Sequence, residues 1–244
     1  SKKSSASIIL ANFLSILASA PIPRIAIEKW FQTSTSSSEL ELNLALRCLQ
    51  DYSLINSSAT LCHIHTQVQQ AIRNHLPEED LEKHLKEALI VFSSLVEEFD
   101  TEILEGREAL TFLIPHMDAT CSALEGKSLP NEEGPSIRFL LNRLWGFYQH
   151  GGKYKEALAY AKRSKQVAEG QYGAGSVQVA VRLNAVGSTL GDLGRHEEAL
   201  RYKQEALELR RELFSAKHPD IATSLNNVGS TLGDLGKHEE ALGY

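Results

Sequence analysis

Apolar residues recur at helical spacing through most of this chain, and in its last third they also recur on a longer, fixed period. Leu183, Val186 and Leu190 fall at i, i+3 and i+7, one stripe of a helix. Gly194 follows, where a C-terminal cap needs a residue free to take positive φ. Ala199, Tyr202, Ala206 and Leu209 form the stripe of a second helix, and the short linker predicts that the two run antiparallel. Small residues at Ala199 and Ala206 predict a close approach between them. The block Val179–Asp220 restarts at Ile221. Between Val186–Tyr202 and Val228–Tyr244 the only changes are Arg195 to Lys237 and Arg201 to Gly243. A weaker copy, Ile137–Gln178, comes first, with Leu141, Asn142, Gly152, Ala157 and Tyr160 one period ahead of Leu183, Asn184, Gly194, Ala199 and Tyr202. Such a period predicts stacked supersecondary units rather than one closed globule.

The residues Val186-Gly187, Leu190, Gly194, Ala199, Ala206 and His218-Pro219 resemble the tetratricopeptide repeat. The longer unit, opening on LNNVG and closing on HPD, resembles its kinesin light chain subtype. The first copy departs from the pattern: Trp145 stands where the others have Gly187 and Gly229, and Gly175-Ser176 replaces His218-Pro219. The third copy stops at Tyr244, inside its second helix, which predicts an uncovered face at Leu225, Val228 and Leu232. We therefore read the chain as an excised piece of a longer protein, monomeric or weakly self-associating through that C-terminal repeat.

The resemblance implies a concave groove lined by the first helix of each unit. Asn142, Asn184 and Asn226 recur on that helix, followed by Ser188 and Ser230 and then by Asp192 and Asp234. A side-chain amide both donates to and accepts from peptide backbone, so an Asn ladder can hold an extended peptide. The same amides could instead bond the adjacent repeat and fix the superhelix. Gly191 and Gly233 are expected to leave room for close approach, and Arg182, Arg195 and Lys237 to favour an acidic ligand.

The N-terminal third predicts a different order. Ser4–Ser19 reads as an amphipathic helix, with Ile9, Leu10, Phe13, Leu14 and Leu17 on one stripe and Asn12, Ser15 and Ser19 on another. Pro21-Ile22-Pro23 breaks it. Arg24–Phe31 is a short helix, and the loop Thr33–Ser38 caps a third helix at Glu39. Leu40, Leu42, Leu44, Leu46 and Leu49 are dense enough to predict that this helix is mostly buried. Tyr52–Ile55 and Thr60–His65 read as strands about an Asn56-Ser57-Ser58 turn, and Thr66–His75 as a closing helix with Val68, Ala71 and Ile72 inward. That is a winged-helix order. The helix before the hairpin offers Glu39, Glu41 and Asn43 with a single Arg47, a poor set for reading bases or phosphates, so no nucleic-acid partner is expected.

Leu49–Ile55 and Cys62–Gln69 resemble the winged-helix domain of STAND-type nucleotide switches, which carry an NB-ARC ATPase core. In that family a Met-His-Asp-like triplet lies here, and its His contacts the β-phosphate of bound ADP. The matching triplet is Ile64-His65-Thr66, which makes His65 the implied nucleotide-sensing residue of an intact protein that binds ADP or ATP. The other reading is that His65 caps or satisfies the following helix. Ala109–Leu124, with Ile114-Pro115-His116, resembles the connector ahead of the repeats in such proteins. Asp80–Phe99 and Thr101–Leu124 predict a helical hairpin with a kink or restart at Pro115, and His116 is expected to be structural. Gly126–Gly134 reads as a boundary loop. No cofactor is expected in this fragment. Gly126-Lys127-Ser128 ends like a phosphate loop, but Cys121 stands where the first Gly belongs.

Composition narrows the rest. The 244 residues are 42% hydrophobic with net charge −6. The cysteines Cys48, Cys62 and Cys121 are unclustered and imply no disulfide framework. Cys62-His63-Ile64-His65 lacks a second ligand cluster, so a buried strand Cys is expected rather than a metal site. The acidic stretch 76–133 argues against a nucleic-acid groove there. Lys2-Lys3 followed by Ile8–Leu17 mimics a secretory signal, yet the stretch is short and two-faced, so no membrane partner and a cytoplasmic protein are expected. The scattered histidines form no catalytic arrangement, and no enzyme is expected. The expectation is a mainly α chain: a winged-helix domain over 1–76, a helical connector over 77–133 and a right-handed α-solenoid over 134–244. It would serve as the interaction or sensor region of a STAND-type protein, binding a protein or peptide. The alternatives are a kinesin-light-chain-like cargo adaptor and a winged-helix DNA-binding regulator.

Overall fold

A computed structural model describes residues 2–35, 37–98, 104–125 and 134–244. They are mainly helical and fall into two compact units, Ser1–Leu140 and Leu141–Tyr244. The first unit runs α1 (Lys2–Ile16), β1 (Ile22–Pro23), α2 (Arg24–Thr35), α3 (Glu39–Asp51), β2 (Ile55–Ser57), β3 (Leu61–Ile64), α4 (Thr66–His75), α5 (Glu78–Glu98) and α6 (Leu104–Leu124). The boundary lies within α7 (Gly134–His150), and the second unit continues through α8 (Tyr154–Tyr172), α9 (Val177–Asp192), α10 (His196–Leu213), α11 (Pro219–Asp234) and α12 (His238–Ala241).

In the first unit α1 is a central helix rather than an amphipathic one. Leu10, Phe13, Leu14 and Leu17 are buried, but so is Ser15 from the expected polar stripe, while Ile8 and Ile9 are exposed. Ser15 tolerates burial because its hydroxyl donates to the Asn12 carbonyl at 2.7 Å. Phe13 stacks on Trp30 with ring centroids 3.8 Å apart. The carbonyls at the end of α1 would be orphans, and α4 satisfies them. Gln69 Nε2 donates to the Leu14 and Leu17 carbonyls at 3.0 Å each, and Arg73 Nε to that of Ser15 at 3.0 Å. The inward residue of α4 is therefore Gln69; Val68 and Ile72 are half-buried and Ala71 is exposed, against the expected apolar face.

Helix α3 starts as predicted, with Ser38 and Glu41 forming a reciprocal capping box. Its burial is one-sided. Leu42, Leu46 and Leu49 are inward, whereas Leu40 is 68% and Leu44 37% exposed. The strands begin later than predicted because residues 52–54 close the helix instead. Ser53 takes φ 56°, and the Leu54 N–H returns to the Leu49 carbonyl at 3.0 Å. The turn then falls at Ser58, whose hydroxyl accepts from the Leu61 N–H at 3.0 Å. The prolyl breaker supplies a third strand: Ile22 pairs with Cys62 and Pro23 with Leu61, giving an antiparallel sheet of order β1-β3-β2. Pro23 is tolerated because β1 is an edge.

Cys62 is the buried strand thiol expected, and burial pushes its pKa up to about 11. Helix α6 passes through Pro115 without interruption. His116 is fully buried, its Nε2 3.1 Å from the Pro21 carbonyl, and burial lowers its pKa. The predicted boundary loop, apart from Gly134, and the ends of the hairpin at Phe99 and Thr101 lie outside the described residues. Among the described residues no helix is long and apolar enough to cross a membrane.

Candidate partner-binding face of the repeats

Each repeat is built by one local rule. A first helix ends in a left-handed glycine: Gly152, Gly194 and Gly236 have φ of 69°, 73° and 73°. The residue after each glycine donates back into the helix, Arg195 to the Leu190 carbonyl and Lys237 to that of Leu232, both at 2.9 Å. This is the Schellman closure that only glycine adopts without strain. Entry to α11 is fixed by His218, whose Nδ1 accepts from the Asp220 N–H at 3.2 Å and whose ring stacks on Phe214 at 3.9 Å. In α9, Ser176 performs the same capping with its hydroxyl, so the missing His-Pro costs the second repeat no cap.

The helix pairs share buried clusters. Val186 and Leu190 pack with Ala199, Leu158 and Ala161, and Val179 and Leu183 with Ala168 and Ala206. Val228 and Leu232 are also buried, against Leu207 and Ile221, and Leu225 is half-buried. The predicted uncovered face is thus packed against α10. The exposed large apolar groups of this repeat are Leu242 (89%) and Tyr244 (43%), just after α12.

The departures of the first repeat are compensated. Trp145 donates its indole N–H to Thr189 Oγ1 at 2.9 Å, and the residue opposite it in sequence register is Ala161. One period later the pair is Gly187 and Lys203. A Cβ on Gly187 would lie 2.8 Å from Lys203 Cγ and 3.2 Å from the Ala199 carbonyl. Lys203 fills that space, and its Nζ donates to Thr231 Oγ1 at 2.7 Å. A large first-helix residue beside a small second-helix one has been exchanged for the reverse, and both arrangements supply a donor to the same threonine of the next repeat. Burial lowers the Lys203 pKa, against the opposing pull of Asp234 and Asp192. Gly191 and Gly233 front open space, where a Cβ would meet nothing within 4 Å, and the tight helix–helix contact falls at Gly187.

The seven predicted partner-binding residues sit on the first helices α7, α9 and α11, but not in equivalent surroundings. Asn142 is half-buried and accepts from the Arg182 guanidinium of the next repeat. Asn184 is half-buried with its amide oxygen enclosed and unbonded. Asn226 is exposed. One substitution separates Asn184 from Asn142: the position of Arg182 becomes Ser224 in the third repeat, too short to reach back to Asn184. Ser224 instead accepts from Arg210 Nη1 at 2.6 Å, and the position of Arg210 in the first repeat is Ala168. Ser188, Ser230 and Asp234 are exposed along the same side, and Asp192 accepts from Gln149 of the preceding repeat. The cations expected to favour an acidic ligand are engaged: Arg182 on Asn142, Arg195 on Glu198 at 2.6 Å and Lys237 by Glu240 at 3.8 Å. What remains open on this face is hydroxyl, amide and carboxylate. Sequence reasoning missed Gln149, Thr189 and Lys203; the paired exchange of Trp145/Ala161 for Gly187/Lys203 was its available signal.

In the first unit His65 is the N-cap residue of α4, exposed, and makes no side-chain cap bond; its nearest ring is His63, edge-on at 6.1 Å. Among the described residues no three His, Cys, Asp or Glu side chains gather as a metal site.

The tetratricopeptide repeat family matches residues 137–212 and 183–244. Residues 137–244 are accordingly tetratricopeptide repeats. No curated protein matches the chain. Among solved structures the chain is similar to the kinesin light chain nearly identical TPR-like repeats of Podosopora anserina, at 14% identity over 90% of this chain and 87% of that one, with TM-score 0.47. It is similar to BtubC (BKLC) from P. vanneervenii at 16% identity, covering 90% and 84%, with TM-score 0.43. It is also similar to a Signal Transduction ATPase with Numerous Domains with a tetratricopeptide repeat sensor from Pyrococcus horikoshii, at 13% identity, covering 97% and 48%, with TM-score 0.34.

Proposed function

We propose that the repeats are a non-catalytic interaction surface that holds a protein or peptide segment along α9 and α11. The observation that carries this reading is the recurrence of Ser188 and Asp192 at Ser230 and Asp234, beside the exposed Asn226. Ser188, Ser230 and Asn226 are not spent on the repeat junctions, whereas Asp192 also accepts from Gln149, and hydroxyl, amide and carboxylate groups bond extended backbone and its basic side chains. The occupant is a polar or basic peptide rather than an acidic one, because the nearby cations already have intramolecular acceptors. The test is selection of peptides from a random displayed library on the 244-residue chain, then calorimetry of a selected peptide on the Ser188→Ala/Asn226→Ala/Ser230→Ala variant. Loss of about tenfold or more in affinity at unchanged thermal stability is expected. Unchanged affinity overturns the reading.

We further infer that residues 1–76 are a winged helix of the kind found in STAND-type signalling proteins, followed by a helical connector, so that the repeats act as a sensor. The element order from α1 to α4 and the β1-β3-β2 sheet support this. Of the implied ADP or ATP contacts only His65 is present among the described residues, exposed and free to face a ligand. A single imidazole does not hold a nucleotide, and no step is assigned to one. The full reading frame decides: an upstream Gly-x4-Gly-Lys-Ser/Thr loop on a strand–helix unit supports the sensor, and an upstream heptad coiled coil supports a cargo adaptor. The DNA-binding alternative has little in its favour, since the outward face of α3 presents Leu40 and Leu44 with Arg47 as its cation. A gel shift on random duplex at low salt is expected to show no complex.

A further inference from the structure

One histidine joins the last helix of the first unit to its sheet, and half of its ring has no use in the fold. His116 on α6 is fully buried, and its Nε2 lies 3.1 Å from the Pro21 carbonyl, ninety-five residues back and just ahead of β1. A carbonyl only accepts, so Nε2 carries the proton of the neutral ring and Nδ1 the lone pair. That Nδ1 is enclosed and has no hydrogen-bond partner among the described residues. Thr120, one turn further along the same face of α6, is fully buried as well, and its hydroxyl is likewise enclosed and unpartnered. Neither atom relieves the other, and buried polar atoms left in this way are uncommon in native folds. The helix is also weakened beside this ring, because Pro115 gives no N–H to the helical ladder.

A second proton on this ring would be a buried charge whose new N–H has no acceptor. The elements packed on α6 offer no counter-charge among the described residues. β1 carries no ionisable side chain. Across from Ile22, the Cys62 thiol of β3 is pushed up to about 11 and stays neutral, and Cys121 on α6 is a buried thiol. On α5, His84 and Glu87 bond each other, Glu82 pairs with Lys86 and Glu98 with Lys29 of α2, and the other ionisable side chains are exposed. On α6 itself Asp118 is half-buried with interactions of its own, and Glu125 follows the helix, exposed. Burial therefore dominates and lowers the His116 pKa, while the bond to Pro21 pulls the other way. We propose that His116 is an acid-sensitive latch: its neutral ring holds α6 against β1, and protonation of the ring favours opening of the helix beyond Pro115. A ring that binds its proton less well in the closed state takes one up on opening. The latch is thus fully closed above the free ring's value of about 6.5 and loosens as pH falls from there towards the lowered folded value. The helix so governed is the last one before α7, where the first unit gives way to the repeats.

The test is amide hydrogen exchange of the 244-residue chain, followed by NMR at about pH 7.5 and pH 5.5 and corrected for intrinsic exchange, with α3 of the same unit as reference. Protection of the amides from Met117 to Leu124 is expected to fall several-fold, up to about tenfold for the pH unit below the free ring's value, while that of Leu46 and Leu49 holds. His116→Gln keeps an N–H donor for the Pro21 carbonyl and cannot titrate, so its α6 protection should be the same at both pH values. The proposal is overturned if α6 of the parent chain is equally protected at both, if α3 loses protection in step with α6, or if His116→Gln keeps the parent's pH dependence. Should that variant fail to fold, the ¹⁵N imidazole resonances of His116 in the parent chain decide. A ring still neutral at about pH 5.5 in closed α6 upholds the latch, and one that takes its proton near about 6.5 with α6 closed overturns it.

Discussion

The junction between the first and second repeats and that between the second and third are built on the same helices and the same period, yet they exchange their chemistry. At the first, Trp145 reaches Thr189 and Arg182 reaches back to Asn142. At the second, Lys203 reaches Thr231 and Arg210 reaches Ser224. Each junction has one bulky donor for the threonine and one arginine, supplied from different helices. A solenoid thus constrains the volume and the donor at a junction more tightly than the residue that provides them. Nearest-neighbour packing is the only long-range order such a fold has, so any pair that fills the space suffices.

The largest expected effect breaks this exchange deliberately. Gly187→Trp alone should destabilise by about 3 kcal/mol through overpacking against Lys203. Adding Lys203→Ala, which recreates the Trp145/Ala161 pair, should recover about 2 kcal/mol of it in a double-mutant cycle read by urea unfolding. Additive effects would refute the exchange. Next, Gly187→Ala should cost about 1–3 kcal/mol, because its Cβ would meet a side-chain carbon at 2.8 Å. Gly229→Ala, whose Cβ would meet its nearest atom at 3.6 Å, should be neutral or stabilising by up to about 1 kcal/mol from helix propensity. Equal effects would mean that the two copies pack alike.

Arg210→Ala should cost about 1–3 kcal/mol through the loss of its bonds to Ser224 and to the Asp220 carbonyl. Its counterpart in the first repeat is already Ala168, so that junction draws its guanidinium from Arg182 instead. The smallest contrast separates the asparagines. Asn142→Ala should cost about 1 kcal/mol by stripping Arg182 of its acceptor, whereas Asn184→Ala removes an unbonded amide oxygen and should change stability by less than about 0.5 kcal/mol. A larger loss at Asn184 would point to a structural partner for that amide.

The helix pairs, the left-handed glycines at 194 and 236 and the capping of α3 were all legible because each rests on contacts within a few residues. The face of α4 was misread for the opposite reason. A Gln among Val68, Ala71 and Ile72 looks like solvent until the end of α1, more than fifty residues away, presents carbonyls that its amide satisfies. The strand at Ile22–Pro23 was hidden because a two-residue edge has no period of its own and exists only by pairing with β3. Of the candidate face, the recurrence of Asn, Ser and Asp was readable, but not which Asn would be taken by a neighbour. That depended on whether the residue two positions before the next repeat's Asn was an arginine or a serine.

Local spacing by itself determined the period, the helices and their closures, since hydrogen-bond geometry and hydrophobic stripes act over one or two turns. Tertiary structure alone decided which polar groups are spent on packing and which remain for a partner. Burial and pairing are properties of two surfaces meeting, and no stretch of one chain carries them alone.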